Sequence, residues 1–137
     1  MTVGDLLPAV EVPLTRTSIV ATALATRDFQ DVHHDPTLAQ ERGSKDVFMN
    51  ILTTNGICER YMCGWAGPAA RLKKLSIRLG APNYAGDTMT LTGEVTEVDG
   101  DRVTVAVVGT NSLGSHVSGT AVVQLPDSAA TAYEGAK

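Results

Sequence analysis

The sequence predicts a single α+β domain in which an antiparallel sheet wraps around one longer helix. Three observations carry that prediction. Apolar residues recur at helical spacing in the first half of the chain, whereas from Leu75 onward they alternate with polar ones. Compact turn signals punctuate the alternating half. Helices followed by strands, in a chain of 137 residues with 43% apolar content, fit one layered core. Residues 1–125 are expected to form the domain. Residues 126–137, small and polar after Pro126, are expected to fray.

Leu6–Leu14 is short, partly alternating and punctuated by proline, which suits an edge strand or an entry arm. Thr15 and Thr17 are candidate N-caps for a helix carried by Ile19, Ala23 and Thr26. Asp35-Pro36 reads as an N-cap followed by proline at the first helical position, opening a short helix to about Gln40. The main helix is expected from Phe48 to about Met62, closed by Gly64, Gly67 and Pro68, with Gly56 weakening it locally. Trp65 follows as a core or lid aromatic. Strands are expected around Leu75–Leu79, Met89–Val98, Val103–Val107 and Val117–Val123. Turns at Asn83–Asp87, Asp99-Gly100-Asp101 and Asn111–Gly114 connect them as an antiparallel meander. The exposed edges of such a sheet commonly pair across a dimer axis.

A net charge of −4 and a pI near 5.2 argue against a global basic field for nucleic acid or an anionic membrane. There is no apolar run of eighteen residues and no secretory leader pattern, so a cytoplasmic location is expected. Cys58 and Cys63, five apart on a helix, face different sides and are expected to be reduced, semi-buried thiols.

The segment Arg27–Ala39 holds three carboxylates and two of the three histidines. It bridges two helices and lacks helical periodicity, so Asp28 and His33 are free to converge. A carboxylate beside an imidazole can hold one water by two hydrogen bonds, and histidine exchanges protons near neutral pH. On spacing alone, solvated or capping roles for both residues stay open. A metal site drawing on His33, His34, Asp35 and His116 lacks any recognised ligand spacing, and no metal is expected.

Asp28, His33, Asp35, Pro36 and Ala39 resemble the signature of the MaoC-like enoyl-CoA hydratases, which have the hot-dog fold. Val3-Gly4-Asp5 with Leu7-Pro8, Ala81–Thr88 with Gly93-Glu94-Val95, and Asn111 with Gly114 resemble further family segments in order. The resemblance implies that Asp28 and His33 activate a water for addition to an enoyl thioester. It also implies that backbone N–H groups at Asn50 and Ile51 position the thioester oxygen. Coenzyme A would be part of the substrate, and no separate cofactor is implied.

The sequence departs from the family at Arg27, Gln30 and Asp31, where glycine, asparagine and proline are usual, and at Asn50, where glycine is usual. Thr26–Asp35, Gly43–Asp46 and Asn50–Thr53 resemble instead the small subunits of heteromeric steroid side-chain hydratases in that family. That resemblance implies a second MaoC-like subunit in a heterodimer or heterotetramer, which supplies room for the rings. Through it, the resemblance implies a retro-aldol lyase partner. Arg71, Lys73, Lys74 and Arg78 form a basic cluster that either meets the phosphates of CoA or is a solvated strand face. A hot-dog thioesterase and a non-catalytic scaffold subunit are the competing functions.

Overall fold

The computed structural model describes residues 1–126. Nearly all of the expected tail, residues 127–137, therefore lies outside the described residues.

Five strands form one antiparallel sheet: β1 (Leu6–Pro13), β2 (Arg71–Leu79), β3 (Thr88–Asp99), β4 (Arg102–Asn111) and β5 (Gly114–Gln124). Three helices precede β2: α1 (Arg16–Ala25), α2 (Pro36–Glu41) and α3 (Ile51–Ala66), with a 3₁₀ turn at Asp31–His33. Leu6–Pro13 is a true edge strand, paired with β3.

The strand order is β1-β3-β4-β5-β2, which corrects the expectation of a simple meander. Only β3, β4 and β5 follow one another through tight turns. β2 pairs with β5 at the far edge, so the 80–87 connection crosses to the other side of the sheet rather than closing a hairpin. Turn chemistry in a sequence marks where a strand ends but not which neighbour it takes. At the β2–β5 pair, a Cβ on Gly119 would collide with the Ser76 backbone, so glycine permits the close approach there.

The inner face of the sheet presents Met89, Leu91, Val95, Val103, Val105, Val107, Val117, Ala121 and Val123 to α3. The helix answers with Thr54, Cys58, Tyr61 and Met62, spaced to lie on one face. Each fully buried aliphatic side chain contributes about 1.5–3 kcal/mol relative to exposure. This seam fixes α3 across the sheet.

α3 starts three residues later and ends four residues later than the expected Phe48–Met62. Its start is delayed because Val47–Met49 is extended and bonded to other segments. The Phe48 N–H donates to the Val32 carbonyl (3.2 Å) and the Met49 N–H to the Asn83 carbonyl (3.1 Å). Asn50 is the N-cap, its Oδ1 accepting from the Thr53 N–H. The helix tolerates Gly64 and stops at Gly67, whose φ of 93° suits glycine and whose N–H bonds the Cys63 carbonyl. Thr15 and Asp35 cap α1 and α2 as expected. Of the two free cysteines, Cys58 is buried and Cys63 exposed. Burial pushes the Cys58 thiol up to about 11, which leaves it protonated and inert at neutral pH.

Candidate active site

The structure brings Asp28 and His33 together at the N-terminal end of α3. α1 ends in a Schellman arrangement: the Asp28 N–H reaches the Ala23 carbonyl (2.9 Å) and the Arg27 N–H the Leu24 carbonyl (3.0 Å). Arg27 takes the left-handed position (φ 57°) that glycine usually fills, at a cost of about 1 kcal/mol. The chain then turns through Asp31–His33 and returns the imidazole to the carboxylate. His33 Nε2 lies 3.5 Å from Asp28 Oδ2.

The tautomer of His33 follows from its other nitrogen. Nδ1 is 2.7 Å from the Phe48 carbonyl oxygen, which can only accept, so Nδ1 carries the proton. In the neutral ring, Nε2 therefore presents a lone pair toward Asp28. Phe48 also packs edge-on against the ring, with centroids 4.9 Å apart, and Tyr84 packs edge-on against Phe48. His33 is buried, while the Asp28 side chain remains 22% exposed. Two acceptors 3.5 Å apart make a seat for one water, which can donate one proton to each.

Asp28 is held on both oxygens. Oδ1 accepts from the Gln30 N–H at 3.4 Å, and Oδ2 accepts from Asn50 Nδ2 at 3.1 Å. A carboxylate has about four lone-pair positions, so capacity for water remains. Among the described residues, the backbone N–H groups of Asn50 and Ile51 form no hydrogen bond. They stand at the positive end of the α3 dipole, where a developing oxyanion is stabilised.

Other members of the segment have structural work. Asp31 pairs with Arg42 (2.8 Å), and His34 Nε2 donates to the Phe29 carbonyl (3.1 Å). Sequence reasoning left His116 without a role. It is buried, its Nδ1 donates to the Ala81 carbonyl (2.7 Å), and its Nε2 meets Thr54 Oγ1 (2.9 Å), tying β5 to the first turn of α3. Burial holds the ring below the ordinary histidine range, partly offset by the bond to Ala81. Asn83 was also missed. Its backbone carbonyl holds Met49 and its Oδ1 accepts from Asn111 Nδ2 (2.8 Å), so the last hairpin braces the segment carrying Phe48. Among the described residues, no three His, Cys, Asp or Glu side chains converge on a metal-sized site.

The basic cluster divides. Arg71, Lys73 and Lys74 sit at the start of β2, beside the C-terminal end of α3, where Met62 and Ala66 meet Leu72. Arg78 lies at the other end of β2, paired with Ser118, on the His116 side. All four are exposed. Two apolar grooves flank α3. One, of about 250 Å³, runs against α1 past Thr26, Leu52, Thr53 and Gly56. The other, of about 300 Å³, runs against β1 past Val10, Tyr61 and Trp65.

The family profile described as a MaoC like domain matches residues 3–117, a span that runs from β1 to the start of β5 and includes α3 and the Asp28–His33 pair. The chain belongs to the MaoC-like family. This MaoC-like chain is 53% identical over 126 residues to the 3-oxo-4,17-pregnadiene-20-carboxyl-CoA hydratase beta subunit of Mycobacterium tuberculosis, covering 92% of this chain and 98% of that one. It superposes on a chain of the ChsH1-ChsH2 complex of Mycobacterium tuberculosis with a TM-score of 0.89 at 52% identity, covering 91% and 98% of the two chains. It superposes on the (R)-hydratase of A. caviae with a TM-score of 0.84 at 22% identity, covering 92% and 98%, which shows the shared hot-dog fold.

Proposed function

We propose that this chain is the water-activating subunit of an enoyl-CoA hydratase that acts on a steroid side-chain thioester. The observation that carries the reading is the Asp28–His33 pair, two acceptors held 3.5 Å apart with the His33 tautomer fixed by Phe48. The 53% identity to a hydratase beta subunit over nearly the whole chain supports the substrate class.

The chemistry follows from the geometry. Water seated between Asp28 Oδ2 and His33 Nε2 presents its oxygen lone pair to the β-carbon. As the C–O bond forms, the water's proton passes to His33 Nε2 and Asp28 holds the other. The C=C electrons move onto the thioester oxygen as an enolate, which the Asn50 and Ile51 N–H groups receive. Collapse of the enolate takes a proton back from the imidazolium at the α-carbon, and the net result is addition of one water. General acid–base transfer of this kind contributes about 10²–10⁴-fold in rate.

A second subunit fits this reading. Phe29, Ile51, Leu52 and Leu24 are exposed large apolar side chains in or near the segments that build the dyad. Neither apolar groove along α3 is lined by Asp28 or His33. A partner MaoC-like subunit laid over that face would complete the walls around a bulky acyl group, and a retro-aldol lyase acting on the tertiary alcohol would join through the partner. Of the basic cluster, Arg78, exposed at the His116 end of β2, is the residue this reading assigns to a CoA phosphate.

The test is to incubate the purified chain, with and without its MaoC-like partner, with a steroid enoyl-CoA and weigh the product. Gain of one water only in the presence of both subunits is the expected result. Release of free CoA thiol without hydration would establish the thioesterase reading instead.

A further inference from the structure

We propose that the Asn50 side chain is a positioning residue that clamps the reacting carboxylate of Asp28, a role that rests on the hydratase reading above. The orientation of its carboxamide is settled by chemistry. The Thr53 backbone N–H can only donate, and it points at one amide atom from 3.1 Å, so that atom is Oδ1. Thr53 Oγ1 donates to the same oxygen. The amide nitrogen then faces Thr26 Oγ1 at 2.9 Å and Asp28 Oδ2 at 3.1 Å. Thr26 Oγ1 spends its own proton on the Thr22 carbonyl (2.8 Å), so its lone pairs receive Asn50. Both protons and both lone-pair directions of the carboxamide are thereby used, in a residue only 2% exposed.

Two consequences follow. The carboxamide has no proton left for a thioester oxygen, so only backbone N–H groups remain to serve that oxygen at the start of α3. And the end of α1, the carboxylate and the start of α3 are joined by one rigid group. Among the described residues, the only other donor to the Asp28 carboxylate is the Gln30 N–H, a long contact. Glycine at position 50 would have no side chain to make this clamp. Without it, the carboxylate can rotate away from the water seat, and a misplacement of about 1 Å costs on the order of 10²-fold in rate.

The helix cap and the clamp can be separated. Serine ranks with asparagine as an N-cap, so Asn50→Ser preserves the bond to the Thr53 N–H while removing the donor to Asp28. In the complex assembled with the partner subunit, kcat is expected to fall about 10- to 100-fold with KM within about twofold and the melting temperature retained. In its crystal structure Asp28 Oδ2 should leave its place beside His33. Wild-type kcat in Asn50→Ser, or a loss matched by unfolding, would overturn the proposal. If Asn50→Ser does not assemble, Asn50→Asp carries the test. It keeps the capping oxygen and replaces the donor with an acceptor, so it should lose kcat at least as far; wild-type kcat there would overturn the clamp equally. Absence of hydration by the wild-type complex would instead count against the hydratase reading, and the position of Asp28 in the variant's crystal structure would still decide the clamp.

Discussion

The two ends of α3 differ in kind. At its N-terminal end, Asn50 bonds Thr26 and Asp28 just beyond α1, Thr53 bonds back to Asn50, Thr54 meets His116 on β5, and the dyad stands on that network. At its C-terminal end, Gly67 closes the helix, Trp65 lines an apolar groove, and Arg71, Lys73 and Lys74 stand exposed on the adjoining strand. Charge alone does not make a site. The end away from the Arg71–Lys74 cluster has the directed hydrogen bonds, a fixed tautomer and free backbone donors beside a helix dipole.

Substitutions can break this contrast, and the largest effect is expected at the dyad. His33→Ala should lower kcat of the assembled complex about 10²- to 10⁴-fold, measured by steady-state hydration. A small loss there would erase the distinction between the two ends. The next effect concerns stability. His116 titrates near 6.5 when unfolded and lower when folded, so between those values the unfolded chain binds the extra proton. Stability should therefore fall as pH drops below about 6.5 toward the folded value and level off beneath it. Thermal melts of wild type and His116→Gln across pH 5–8 check this: the variant should show the shallower acid slope. The smallest effects are expected from the basic residues. Arg78→Ala should raise KM for a CoA thioester about 2- to 5-fold, the worth of one exposed ion pair. Joint replacement of Arg71, Lys73 and Lys74 should change KM less than about twofold.

Much of this contrast was legible in the chain. The lack of periodicity between two helices leaves Asp28 and His33 free to converge, but spacing alone leaves them solvated or capping roles; the resemblance to the MaoC-like signature, with Asp35-Pro36 in register, is what singles out the pair. Helix and strand identities followed from period, since each burial stripe is written locally. The pairing of β2 with β5 was not legible, because strand partners are chosen by the global packing of the inner face on α3. The Asn50 bonds to Asp28 and Thr26 span more than twenty residues, and no local pattern encodes them. A stricter reading of Asn50-Ile51 as an N-cap signal would have moved the helix start from Phe48 to its observed place. The His116–Thr54 tie joins residues 62 apart, beyond any spacing rule.

The charged Asp28 carboxylate holds and polarises the water whose proton passes to His33. Asp28→Asn is nearly isosteric and keeps an acceptor for Asn50 Nδ2, so the fold and the clamp should survive. Hydration of a steroid enoyl-CoA by the assembled complex, followed as mass gain in a single turnover, tests it directly. At least a hundredfold slower water addition with an unchanged melting temperature is the predicted result. Water addition at the wild-type rate would contradict the account.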